Sequence, residues 1–132
     1  MKKIYFSTLI VIFSTCSQIE VEWVKKIEPA GSGNYRINCL TCNASNIFVT
    51  GTYWTEKKDP RCLTAAYNSR GALVWHKIYG QSQFRSSAGT SILANVFGIH
   101  VLAQTTDTLG IKNVVLIKYD TLGNLLWEMV LE

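Results

Sequence analysis

Along the chain, short runs of β-branched, aromatic and aliphatic residues alternate with clusters of Gly, Asn, Asp and Ser, and no stretch beyond the apolar leader keeps a helical period. The pattern predicts eight short β-strands. The first four span Tyr35 to Cys42, Asn46 to Tyr53, Cys62 to Tyr67 and Ala72 to Tyr79. The second four span Ser87 to Ala94, Gly98 to Thr105, Asn113 to Tyr119 and Asn124 to Leu131. In several of them both alternating sets of side chains are apolar, as in Val114, Val115, Leu116 and Ile117, so sheets covered on both faces are expected.

The strands repeat. Trp23, Trp75 and Trp127 follow one another at a spacing of 52 residues, and the segments between them align without a gap. In that register Asn43 meets Asn95, Val49 meets Val101, Tyr67 meets Tyr119, Gly71 meets Gly123 and Leu73 meets Leu125. Such a frame marks an internal duplication, and each unit is one supersecondary module. The segments Asn68-Ser-Arg-Gly71 and Asp120-Thr-Leu-Gly123 place an Asx first and a Gly fourth in a turn between the third and fourth strands. The Asx side chain fixes the turn locally, and Gly supplies the positive φ that rejoins the next strand. Small four-stranded sheets stacked face to face are the plan of a β-propeller. The expected fold is therefore all-β: two four-stranded antiparallel propeller blades, residues 35–79 and 87–131, with a β-sandwich or an open stack of hairpins as the alternative. Residues 21–27, VEWVKKI, correspond to a further outer strand without its blade, within a segment 17–34 that joins the leader to the first blade.

The stretches KYDTLGNLLW and NIFVTGTY resemble the β-propeller repeat family known as SBBP, and the resemblance covers both units. The second unit departs from the pattern at Ala103, where the first has Gly51. The same hairpin is similar to quinoprotein-type propeller repeats, whose cofactor sites are not matched. The resemblance implies an exported bacterial propeller and no particular reaction. Propellers close with about four to eight blades. Two units and a lone outer strand thus point to the tail of a larger propeller, or to a protomer that completes a ring by self-assembly.

Residues 1–16 have the layout of an export signal: Lys2 and Lys3, an apolar run, then Ser14 and Thr15 before Cys16. The run is too short for a permanent span of about 20 residues. Cys16 stands where a lipoprotein signal places its acylated cysteine, although Thr15 departs from the small residue usual before it; plain cleavage near Cys16 to Gln18 is the alternative. The expected location is extracytoplasmic, at a bacterial outer membrane, periplasm or cell surface by a lipid anchor, or secreted. Without the leader lysines the chain carries 11 basic and 9 acidic residues, too balanced and scattered for nucleic acid.

Candidate chemistry is sparse. Cys39 and Cys42 share a strand and point to opposite faces, and Cys62 lies two strands away, so none bridges another. Their counterparts Ser91, Ala94 and Val114 suggest small, buried packing residues at all six positions. His76 and His100 have no ligand partner at metal spacing, and no phosphate loop, nucleophile elbow or HExxH motif occurs. No catalytic residue, metal or cofactor is assigned. Recognition is expected in loops at one end of the blades: Trp54 to Arg61, Gly80 to Ser86 and Thr106 to Lys112. There Trp54, Lys57, Lys58, Arg61, Phe84 and Arg85 could stack on a sugar or meet an acidic partner. The functional expectation is a non-enzymatic envelope module that binds protein or glycan, with a structural propeller remnant as the alternative.

Overall fold

The computed structural model describes residues 34–57, 59–80 and 83–131. Cys16, Trp23, the expected outer strand at 21–27 and Lys58 lie outside them.

The described chain forms two blades, each a four-stranded antiparallel meander. The first is β1 (Asn34–Cys42), β2 (Asn46–Trp54), β3 (Pro60–Asn68) and β4 (Leu73–Tyr79). The second is β5 (Ser86–Asn95), β6 (Gly98–Thr106), β7 (Lys112–Tyr119) and β8 (Leu125–Leu131). Most strands begin or end within a residue or two of the sequence pattern. The duplication reaches the irregularities as well. Bulges fall between Ile37 and Cys39 in β1 and between Gly89 and Ser91 in β5, one repeat apart. A second pair interrupts the β3–β4 and β7–β8 ladders between Ala66 and Tyr67 and between Lys118 and Tyr119. An extra residue at the same place in both copies bends each sheet alike, so the two surfaces match where they stack.

The turns carry out the predicted chemistry. Gly71 N donates to Asn68 O at 2.9 Å and Gly123 N to Asp120 O at 3.1 Å. Both glycines hold positive φ, 76° and 85°, a conformation that costs other residues strain. Asn68 Oδ1 accepts from Arg70 N and Ala72 N, and Asp120 Oδ1 from Leu122 N and Asn124 N. The turn occurs a third time, at Asp107-Thr-Leu-Gly110 between β6 and β7, where Asp107 Oδ1 accepts from Leu109 N and Ile111 N. This turn closes the Thr106 to Lys112 loop in which the sequence led us to expect recognition, and its own side chain braces it.

The blades stack through a continuous core. Phe48, Cys62, Ala66 and Tyr79 of the first blade meet Ile99, Val101, Ala103, Val115, Ile117 and Tyr119 of the second, all buried. Each large apolar side chain so placed contributes about 1.5–3 kcal/mol. The first sheet is buried on its other face too, where Ile47, Val49, Ala65 and Tyr67 cluster with Ile37. The expectation of coverage on both faces is met by this sheet and not by the second. There Val115 and Ile117 are buried while Val114 and Leu116 are half-buried, because only one face of β5–β8 meets the first blade. The cysteine expectation is corrected for a related reason. Cys62 is fully buried, but Cys42 ends the edge strand β1 and is exposed, as is Ser91 on the edge strand β5. Cys39, Cys42 and Cys62 are all free thiols.

Candidate functional site

The seam between the blades explains the residues that define the repeat. Trp75 leaves β4 and lies 6.2 Å from the Phe48 ring of its own sheet and 6.0 Å from Tyr119 of the next. Its Nε1 donates to Thr121 O at 3.0 Å, inside the Asp120–Gly123 turn. A Cβ on Gly123 would sit 2.6 Å from Trp75 Cδ2, so this glycine is required twice, for its φ and for the indole laid against it. The tryptophan of one blade thus locks onto the Asx-Gly turn of the next.

Three more stitches cross the seam. Asn38, the bulged residue of β1, donates from Nδ2 to Gly89 O at 2.7 Å. Gly89 itself has no room for a side chain, because a Cβ there would run into Thr50 Oγ1. Ser87 Oγ accepts from Cys62 N at 2.9 Å and donates to Tyr79 O at 2.8 Å, so one hydroxyl satisfies two backbone groups in the interior. Arg61 donates from Nη1 to Pro60 O and to Arg85 O, at 3.1 and 2.8 Å.

That last contact decides how the loop residues are used. Arg61 is buried and spends its guanidinium on holding the β4–β5 loop. Phe84 is half-buried against Tyr79, with ring centroids 5.9 Å apart. Trp54 is half-buried at the end of β2, paired with Pro60. Lys57 and Arg85 are exposed. Among the described members of this set, Arg61 and Phe84 are packing groups, with Arg61 bonded to the backbone of Arg85, Lys57 and Arg85 are exposed, and Trp54 is intermediate. Glu56 is exposed, and Asp59 closes its own loop through a backbone bond with Thr55.

At this same end of the blades a cleft of about 320 Å³ opens between the start of β3, the start of β5 and the facing ends of β6 and β7. Ser86, Gln104, Thr106, Lys112 and Asn113 supply its polar wall, with Pro60, Ala88 and Val114 as apolar patches. Donors and acceptors are mixed, and among the described residues no carboxylate, histidine or cysteine lines it. The loops named from the sequence contribute Pro60, Ser86, Thr106 and Lys112 to the cleft, whereas Ala88, Gln104, Asn113 and Val114 lie outside them. Loop residues with large or charged side chains drew attention, whereas the cleft is built from small polar residues at strand termini. The available signal was that β5, β6 and β7 each turn polar at this end, at Ser86, Gln104 to Thr106 and Lys112-Asn113.

On the open face of the second blade, β6, β7 and β8 present three cross-strand rows. His100, Lys118 and Trp127 form the first, Leu102, Leu116 and Met129 the second, Gln104, Val114 and Leu131 the third. His100 meets Trp127 edge-on at 6.2 Å, Lys118 Nζ lies 5.9 Å above the same indole, and His100 Nδ1 has no partner. His76 is half-buried on β4. Among the described residues no three His, Cys, Asp or Glu side chains gather as metal ligands, and no helix is long and apolar enough to cross a membrane.

Burial governs the titrations. It pushes the Cys62 thiol up to about 12, against weaker opposing hydrogen bonds from Thr50 and Thr64. It also pushes Tyr67 up to about 12 and raises Tyr119 and Tyr79, the last further disfavoured as an anion by Glu128. Asp120 moves the other way: the Asn124 side chain and then backbone N–H groups of the turn hold its carboxyl low. The shifted groups thus lie in the core or in a turn, and none of them is among the described residues that line the cleft. No family model matches the chain, and no characterised protein matches it.

Proposed function

We propose that this chain is a non-catalytic binding module of propeller blades, exported to the cell envelope, and that it holds a glycan in the cleft at the β5–β6–β7 end. The cleft carries this reading. Its volume of about 320 Å³ lies at the small end of ligand sites, which run from about 300 to 1,000 Å³. Its wall of hydroxyl, amide and ammonium groups offers both donors and acceptors to a polyhydroxylated ring. The elements that position it are rigid strand ends held by the Ser87 and Arg61 stitches, which suits recognition by a preformed surface.

The envelope location rests on the leader at residues 1–16 and on the resemblance to exported propellers, with Cys16 as the anchoring residue. A mature chain whose mass shows an acylated Cys16 supports it; an unmodified N-terminus beyond Cys16 removes the anchor. Binding is tested by calorimetric titration with glucan, mannan, N-acetylhexosamine and uronic acid oligomers. The expected result is saturable binding of one class, weakened about tenfold or more in a Gln104→Ala, Lys112→Ala, Asn113→Ala triple variant, as befits loss of several hydrogen bonds of about 0.5–1.5 kcal/mol each. Saccharide binding that survives the triple variant, or no binding to any oligomer, would overturn the assignment.

A further inference from the structure

The first blade is buried at a corner that the second blade does not touch. Ala65 and Tyr67 of β3 are 0% and 2% exposed, and they belong to the cluster on the face opposite the seam. Every member of that cluster comes from β1, β2 or β3, while the other described sheet packs on the opposite face. Side chains on a sheet become buried beneath a second layer. One repeat later the same places are Ile117 and Tyr119, and there the layer is the neighbouring blade, with Trp75 lying 6.0 Å from the Tyr119 ring.

The turn that follows β3 carries the same mark. Gly123 is buried between exposed Thr121, Leu122 and Asn124, because the Trp75 indole lies against it. Gly71 is likewise buried between exposed Ser69, Arg70 and Ala72. Two turns alike in bonding and in positive φ thus hide the same residue. Trp75 stands 48 residues before Gly123, and Trp23 stands 48 residues before Gly71.

We propose that residues 21–27 of this chain dock as a strand on the β3 corner of the first blade's outer face, with Trp23 laid on Gly71 and its Nε1 donating to the Ser69 carbonyl. Val21, Trp23, Lys25 and Ile27 take the places of Leu73, Trp75, Lys77 and Tyr79. In β4, Trp75 and Tyr79 pack into the seam while Lys77 is exposed, so Trp23 and Ile27 face the blade and Lys25 keeps to the rim. The connection fits: residues 28–33 lead from this strand to β1, and six residues, 80–85, make the same passage from β4 to β5. The contact is confined to the corner, since Val49 lies nearer the middle of the face on β2. Cys16 stands seven residues before Trp23, a reach of at most about 25 Å. On the envelope reading above, an acyl group there tethers the blade by the Asn68–Gly71 end, whereas the cleft opens at the Pro60 end of β3; the docking itself does not need the anchor.

Nuclear magnetic resonance on the isotope-labelled full chain, at two concentrations tenfold apart, tests it. The expected result is a set of proton contacts from the Trp23 indole N–H to Ser69 and Gly71, matching those from Trp75 to Thr121 and Gly123. The Gly71 α-protons should be shifted upfield by the indole ring at both concentrations. Trp23→Leu should abolish that shift and leave the Gly123 signals where they are; should this variant not fold, the wild-type contacts decide alone. A folded wild-type chain without Trp23 contacts to the turn, Gly71 signals indifferent to Trp23→Leu, or contacts found only between differently labelled copies overturns the proposal.

Discussion

Asp120 and Asn68 perform the same task in the two blades, yet only one of them titrates. Each side-chain oxygen receives two backbone N–H groups of its own turn, at 2.8 to 3.0 Å. Asp120 also receives Asn124 Nδ2 at 2.9 Å. All of these bonds favour the carboxylate, which is why its pKa is held low. A group depressed in the fold stabilises it above the unfolded value, near 3.9, and that contribution disappears as pH falls through the folded value. The wild-type midpoint temperature should therefore drop as pH falls below about 4. Asp120→Asn, which copies the first blade, should match wild type near neutrality and lose less on acidification. Thermal melts of both proteins from neutral to strongly acid pH check this. Parallel loss in the two would show that the turn carboxylate is not what acid removes.

At the scale of elements, the unit of structure is the strand-four tryptophan together with the turn that follows it one blade later. Trp75 is half-buried against Phe48, Tyr119 and Gly123 and bonded to Thr121 O; Trp127 is 39% exposed beside Lys118 and His100. Trp75→Phe should cost about 1–3 kcal/mol, through a lost hydrogen bond across the seam and a poorly filled slot. Trp127→Phe should cost less than about 1 kcal/mol, in the range of surface changes. Equal losses in urea unfolding would contradict the asymmetry. Much of this element was legible in the sequence. Asx-Gly spacing gives the turn, the 52-residue step gives the duplicate, and alternation gives the strands, because each is a local consequence of backbone conformation. Which face of each sheet is buried was not legible, since Val114-Val115-Leu116-Ile117 reads as apolar on both sides and only the neighbour decides. Nor was the fate of Arg61: a basic loop residue looks solvated until the carbonyl of Arg85, 24 residues on, is brought to its guanidinium. The cleft was legible only in part: Pro60, Ser86, Thr106 and Lys112 lie in the named loops, but Gln104, Asn113 and Val114 join them only across the sheet.

For the whole molecule, the core's ionisable groups set the alkaline limit of the fold. Cys62, Tyr67 and Tyr119 are buried and Tyr79 nearly so, and none can ionise in place without leaving a charge in an apolar seam. Cys62 sits between Thr50 and the Ser87 stitch, so its pKa of about 12 reports the intactness of the contact between the blades. Raised acids stabilise the fold fully below their unfolded values, about 8.5 for Cys and 10 for Tyr, and the contribution is lost as pH rises from there through the folded values. Stability should thus be flat near neutrality and decline from about pH 8.5 upward. Cys62→Val borrows the residue that the second blade carries at Val114. It removes one proton from the linkage, so the decline between about pH 8.5 and 12 should become shallower by up to about 1.4 kcal/mol per pH unit. Thiol labelling under native conditions gives the matching kinetic picture: Cys42 should react at once, Cys39 more slowly, and Cys62 only at the rate of global opening, because the seam that shields it joins both blades into one core. If Cys62 were labelled as fast as Cys42, or if the valine variant kept the wild-type slope, the two sheets would not be sealed against each other as the Trp75, Ser87 and Arg61 contacts require.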